Sequence, residues 1–206
     1  MLRIIFATGN KDKLREIRQI LSDCSIEVIS MRDAGIEGEA EETGKSFEEN
    51  ALQKARYVYE KNGKRDGDLV VADDSGLEID ALNGEPGILS ARYMGKDTSY
   101  REKNADLVKR LEGVPDERRT ARFVCAMALI CPDGRERVVR QTMEGRIGYG
   151  EAGENGFGYD PIFFLPEYGM TSAEVSPEVK NAISHRGKAL REVRDIIISE
   201  YPGVMS

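Results

Sequence analysis

The feature that most constrains this chain is the run Asp68-Leu69-Val70-Val71-Ala72, which stops abruptly at Asp73-Asp74-Ser75-Gly76. A short, bounded run of aliphatic residues reads as a buried strand. A similar run, Arg3-Ile4-Ile5-Phe6-Ala7, breaks at Thr8-Gly9-Asn10. From Lys11 to about Leu21, Leu14, Ile17, Ile20 and Leu21 then recur at helical spacing. A further strand is expected near residues 27–30, followed by an acidic loop over 33–45. Ser46-Phe47-Glu48-Glu49 has the form of a capping box. The helix it opens is expected to run to about Asn62, with Phe47, Ala51, Ala55, Val58 and Tyr59 on one face. Two strand–helix units followed by another strand predict a three-layer α/β arrangement.

The second half is more irregular. Residues 82–96 are rich in Gly and Pro and read as loop. Ser99-Tyr100-Arg101-Glu102 is another capping box, opening a helix to about Leu111. Residues 123–131 and 137–142 flank Pro132-Asp133-Gly134, a strand–turn–strand signal for a hairpin whose extension reaches Ile147. Ser176-Pro177 marks a helix start. Helix then continues to about Glu200, apart from an interruption around 184–187.

A length of 206 residues suits one large domain or a two-lobed one. The net charge of −7 disfavours broad contact with a nucleic-acid backbone. Binding one phosphorylated small molecule through a few local lysines stays open. No apolar run approaches the roughly 18 residues that span a bilayer, and the four-residue apolar run near the N-terminus is too short for a signal peptide. The expected setting is therefore cytoplasmic, with no membrane partner. Cys24, Cys125 and Cys131 lack C-x-x-C spacing and read as plain reduced cysteines.

Several segments carry candidate chemistry. Thr8, Gly9, Asn10, Lys11, Asp12 and Lys13 lie between a strand and a helix, where backbone N–H groups form an anion site. The segment matches neither familiar phosphate-loop pattern, so a plain tight turn is the competing reading. Asp73 and Asp74 follow a buried strand, where open α/β sheets place ligands. Adjacent carboxylates cannot share one face of a strand, so one is expected to face the site and the other to support the turn. A pair of carboxylates there suits a hard, oxygen-loving cation, although Asp-Ser-Gly is also good turn chemistry. Glu41-Glu42 in the acidic loop, and Lys54 with Asn50 one turn before it, could add metal and phosphate contacts or simply face water.

Phe157-Gly158-Tyr159-Asp160 offers an aromatic to stack on a base and a carboxylate to read it; a β-turn with core aromatics explains it equally well. His185 lies in Ser184-His185-Arg186-Gly187, a polar break that makes it a poor core residue and favours a ligand contact. No Ser–His or Cys–His nucleophile system is apparent, whereas metal-assisted attack by water needs only carboxylates, Mg²⁺ and positive charge.

Together these segments resemble the inosine triphosphatase (Ham1-like) family of non-standard purine nucleoside triphosphate pyrophosphatases. The resemblance rests on the opening strand with TGN and Lys13, EETGKSFEENALQKA, ADDSGLEIDALNGEPGILSARY, GFGYDPIFF and KNAISHRG, in order along nearly the whole chain. It implies a mixed, twisted central sheet flanked by helices, two lobes with a central cleft, and a homodimer. It also implies Mg²⁺-dependent cleavage of dITP, ITP and XTP between the α- and β-phosphates. By motif position, Thr8 to Lys13 and Lys54 would hold the triphosphate. Asp74 would be the acid–base residue and a metal ligand, Ser75 a substrate contact, and Glu42, or else Glu41, the second metal ligand. Phe157, Gly158, Tyr159 and Asp160 would stack on and read the base, with Lys180, His185 and Arg186 at its 6-keto edge. Two other classes compete: a nucleotide-binding regulator without catalysis, and a Maf-like enzyme acting on modified pyrimidine nucleotides. Pyrophosphate release and a nucleotide panel separate them.

Overall fold

Strand β1 (Leu2–Phe6) pairs in parallel with both β2 (Ile26–Ser30) and β3 (Asp68–Ile79), setting Ile4 opposite Val28 on one side and Leu69 on the other. Parallel neighbours need crossover connections, supplied by the segments holding helices α1 (Lys11–Ile20) and α2 (Phe47–Lys61). The computed structural model describes residues 2–63 and 67–204, with Asp12 described by its backbone alone. Strands β4 (Thr120–Ile130), β5 (Glu136–Ile147), β6 (Phe163–Leu165) and β7 (Met170–Thr171) complete a seven-stranded sheet in the order β2-β1-β3-β4-β5-β6-β7. The β5–β6 and β6–β7 pairs are antiparallel, so the sheet is mixed, as expected for this α/β class.

The chain divides into two compact units. The first comprises Met1–Asp74, Cys125–Gln141 and Arg186–Ser206. In its core Ile4, Phe6, Leu69, Val71 and Met127 pack with Ile17 of α1 and with Ala189, Leu190, Val193 and Ile197 of α5 (His185–Glu200). The intervening residues Ile5, Val70 and Ala72 are also fully buried. Both faces of these strands are therefore covered, which accounts for their continuous apolar sequence.

The second unit comprises Ser75–Val124 and Thr142–His185. Its core gathers Leu77, Ile79, Phe123, Ile147, Ile162 and Phe163 with Leu107 and Leu111 from α3 (Tyr100–Arg110) and the residue after it. Ser99 caps α3 with the full capping box, whereas at α2 Ser46 accepts from Glu49 N and the Glu49 carboxylate turns back to Lys45 N instead. Helix α4 (Pro177–Ile183) starts at Ser176 as the proline predicts.

Three expectations need correction. Strand β3 does not stop at Ala72 but continues through both aspartates to Ile79, because cations compensate the carboxylates and Leu77 and Ile79 return to a core. The Gly/Pro-rich loop over 82–96 contains a 3₁₀ turn, Gly87–Arg92, and a second one, Asp80–Leu82, leads into it. The break near residue 184 is a single extended residue, Ser184, after which α5 begins at once. All three cysteines are free and buried, and no helix among the described residues is long and apolar enough to cross a membrane.

Candidate active site

In the first unit, the turn after β1 is organised by its own side chains. Thr8 Oγ1 accepts from Asn10 N at 3.1 Å, and Asn10 Oδ1 accepts from Lys13 N at 3.4 Å, which makes Asn10 the N-cap of α1. Thr8, Gly9 and Lys13 line a hollow of about 220 Å³, together with Glu42, Lys54 and Asp73. Among the described residues beyond its chain neighbours, a Cβ added to Gly9 would meet no atom within 4 Å, so packing does not demand glycine there.

The strand alternation sends the two aspartates to different partners. Asp73, 1% exposed, accepts from Lys13 Nζ on both oxygens, at 2.7 and 2.9 Å. Arg186 Nε lies 3.5 Å from Asp73 Oδ2, and Arg186 Nη1 donates to Glu16 at 3.2 Å. Burial alone would raise the Asp73 carboxyl, but Lys13, Arg186 and Lys54 outweigh it and hold the group well below the usual carboxylate range. Asp74 turns instead to α2, accepting from Lys54 Nζ at 2.9 Å and from Asn50 Nδ2 at 3.1 Å. Here burial wins over Lys54 and Asn50, and the Asp74 carboxyl is shifted upward. Burial lowers the Lys54 ammonium, yet Asp74, Asp73 and Glu42 together carry it above its ordinary value.

The acidic loop reaches this place because its end is fastened to the first turns of α2. Thr43 N donates to Gln53, Gly44 N to Asn50 Oδ1 at 2.9 Å, and Lys45 N to Glu49. A Cβ on Gly44 would lie 2.6 Å from Asn50 Oδ1, so only glycine allows this contact. The result sets Glu42 Oε1 3.2 Å from Lys54 Nζ, while Glu41 is exposed. Two carboxylates thus converge on one ammonium. Among the described residues no group of three or more His, Cys, Asp or Glu is arranged to hold a metal.

In the second unit the acid at the centre is Asp160, 4% exposed. Its Oδ1 accepts from Ser172 Oγ at 2.9 Å, and its Oδ2 accepts from Phe157 N at 2.8 Å and from Lys180 Nζ. Lys180 Nζ also stands 5.2 Å from the centroid of the Phe157 ring, which is 42% exposed. Gly156 makes this possible: at φ +77° a Cβ would fall 2.4 Å from Asp160 Oδ2 and 2.5 Å from Lys180 Nζ. Tyr159 is buried, with its hydroxyl on Ser90 O at 2.6 Å and its ring edge-on to Tyr100. His185 is 8% exposed and stacks on Phe123, centroids 5.0 Å apart. The expectation that it makes a poor core residue is corrected by that aromatic partner.

A family model described as the Ham1 family matches residues 4–196. The chain belongs to the Ham1 family. Among its relatives, a dITP/XTP pyrophosphatase of Desulforamulus reducens is 44% identical, covering 95% of this chain and 96% of its own. One of the same description from Nitratidesulfovibrio vulgaris is 47% identical, covering 94% of each chain. The solved structure of a HAM1 protein from Coxiella burnetii superposes with a TM-score of 0.88 at 39% identity, covering 97% of this chain and all of that one.

Of the residues that Ham1 resemblance singles out, Thr8, Gly9, Lys13, Glu42 and Lys54 share one hollow, and Asp74 accepts a hydrogen bond from Lys54. Phe157, Asp160 and Lys180 form a second cluster. Lys11 lines a different hollow on α1 with Leu14 and Arg15, and the Asp12 side chain lies outside the described residues. Ser75 is half-buried at the start of the second unit. Arg186, grouped by motif with Lys180 and His185, sits instead in the first unit against Asp73 and Glu16. Glu16 and Ser172 are contributors that sequence reasoning missed, and Asn50, noted there one turn before Lys54, was given no partner of its own. Only Asn50 left a signal, being four residues before Lys54 and so on the same helix face.

Proposed function

We propose that this chain hydrolyses non-standard purine nucleoside triphosphates (dITP, ITP and XTP) at the α–β anhydride, giving the monophosphate and pyrophosphate. The observation that carries the reading is the pair of carboxylates, Asp74 and Glu42, meeting at Lys54 beside the Thr8–Lys13 turn. Relatives spanning the same length bear the name dITP/XTP pyrophosphatase.

Asp74 and Glu42 are the residues that would hold Mg²⁺. Two carboxylates already gathered around one cationic group fit an ion that binds one or two carboxylates and completes its shell with water and phosphate oxygens. When bound, the ion supplies positive charge against the phosphates. Lys13 and Lys54 bind and neutralise phosphate oxygens, and the turn with Thr8 and Gly9 admits them to backbone N–H groups. Asp74, with its raised affinity for a proton, accepts one from the attacking water; Asn50 fixes the orientation of its carboxylate.

The second unit reads the base. Phe157 offers a ring to stack on, and Lys180, steered by Asp160, offers N–H donors to a 6-keto oxygen. Both oxygens of Asp160 already accept hydrogen bonds, so its main task is to aim Lys180 and the Phe157 backbone. An adenine amino group would leave a donor unpaired, and such mismatches discriminate by about 10⁴ or more. His185, anchored on Phe123, borders this reading. A homodimer acting in the cytoplasm, with the whole chain as one catalytic domain, completes the proposal. The test is a nucleotide panel with Mg²⁺, reading both products. Pyrophosphate and IMP from ITP, with ATP largely spared, are expected; orthophosphate as product, or no turnover of any 6-keto purine triphosphate, would overturn it.

A further inference from the structure

Asp73 has two cationic partners of different character. Lys13 is a single mobile charge on the wall of the hollow, its side chain 20% exposed. Arg186 is 6% exposed at its side chain and is itself held by Glu16. Glu16 follows Lys13 by three residues on α1, so the contacts Lys13–Asp73–Arg186–Glu16 begin and end on one helix face.

This arrangement bears on how Lys13 can work. To bind a phosphate oxygen its ammonium must leave Asp73, and a carboxylate 1% exposed bears a heavy penalty on losing that hydrogen-bonded charge unless another cation stays beside it. A guanidinium keeps its charge at all working pH values and its fork can serve two acceptors at once, whereas a lysine is a point charge on a flexible stem. We infer that Arg186 is a positioning residue of the phosphate end: it keeps Asp73 compensated and so lets Lys13 pass between Asp73 and the polyphosphate, and it does not read the base. The inference rests on the assignment of Lys13 to the triphosphate made above.

Inorganic tripolyphosphate, which has no base, is the discriminating probe, used as an inhibitor and in direct titration of the Mg²⁺-loaded enzyme. Arg186→Gln is expected to weaken tripolyphosphate binding by about tenfold or more, and to raise KM for ITP and ATP by the same factor, leaving their kcat/KM ratio within about twofold of wild type. Arg186→Lys, which keeps a charge beside Asp73, is expected to recover most of that loss. The double variant Asp73→Asn/Arg186→Gln removes the charge that needs compensating; it is expected to bind tripolyphosphate as well as Asp73→Asn alone, within about threefold. A general packing defect would not be relieved by that second substitution. A collapse of the ITP/ATP ratio with tripolyphosphate affinity unchanged overturns the inference in favour of base reading. So does a double variant no better than Arg186→Gln, or wild-type enzyme that fails to bind tripolyphosphate. Absence of pyrophosphate release from ITP by wild type would sink the functional reading alone, since the tripolyphosphate titrations stand without turnover.

Discussion

The two units gather their candidate residues with different chemistry. In the first, Lys13, Lys54 and Arg186 face Glu16, Glu42, Asp73 and Asp74, and the ion pairs that join them carry charge on both sides. In the cluster of the second, the ion pair between Asp160 and Lys180 is trimmed by a hydroxyl, a backbone N–H and an aromatic ring. Charge attracts any polyphosphate whatever base it bears; hydrogen bonds and stacking depend on where particular atoms sit. The contrast teaches that turnover and selectivity should be separable by mutation.

The sharpest attempt to break that separation is Asp74→Asn. It is expected to lower kcat for ITP by about 10²–10⁴-fold or more while leaving the fold and the relative binding of ITP and ATP unchanged. Near-normal turnover would remove Asp74 from the chemistry. Next comes Lys180→Ala, expected to cut the ITP/ATP ratio of kcat/KM by about 10²-fold with little effect on tripolyphosphate binding. If tripolyphosphate binding fell in parallel, the division of labour would be wrong. Gly156→Ala should have a similar signature with a smaller ratio change, about tenfold, plus about 1–3 kcal/mol of lost stability from the collision with Asp160 and Lys180. A melt and a two-substrate comparison check both parts. His185→Ala is expected to erode the same ratio by several-fold and to destabilise by about 1–3 kcal/mol through the lost stack on Phe123; an unchanged ratio would leave His185 as packing alone.

The smallest effect concerns pH. The Asp73 carboxyl is held below its unfolded value of 3.8, so its contribution to stability is present above that value and is lost as pH falls from there towards the folded value. Chemical unfolding in metal-free buffer at about pH 5 and about pH 3 should therefore show a smaller acid-side loss for Asp73→Asn than for wild type. Equal losses would mean that Lys13 and Arg186 do not hold the group ionised.

Much of this was legible because it is local. The β1–turn–α1 unit, the Ser99 cap, the hairpin around Pro132–Gly134 and the Ser176-Pro177 helix start all follow from spacing and turn chemistry within a dozen residues. The motif order of the family singled out residues of both clusters. What escaped was non-local. Nothing near Arg186 announces Asp73 or Glu16, the latter 170 positions away, and nothing near Ser172 announces Asp160. The continuation of β3 was hidden for the same reason: a strand bearing two acids looks finished until Lys13 and Lys54 are brought beside them from other elements.

Strand β3 running unbroken from Asp68 to Ile79 leaves one peptide bond between the aspartate tied to Lys13 and Arg186 and the aspartate tied to Lys54 and Asn50. Because successive residues of a strand face opposite ways, loss or gain of a single residue upstream in β3 would exchange the two. The length of the strand, as much as its composition, therefore decides which acid faces which cation.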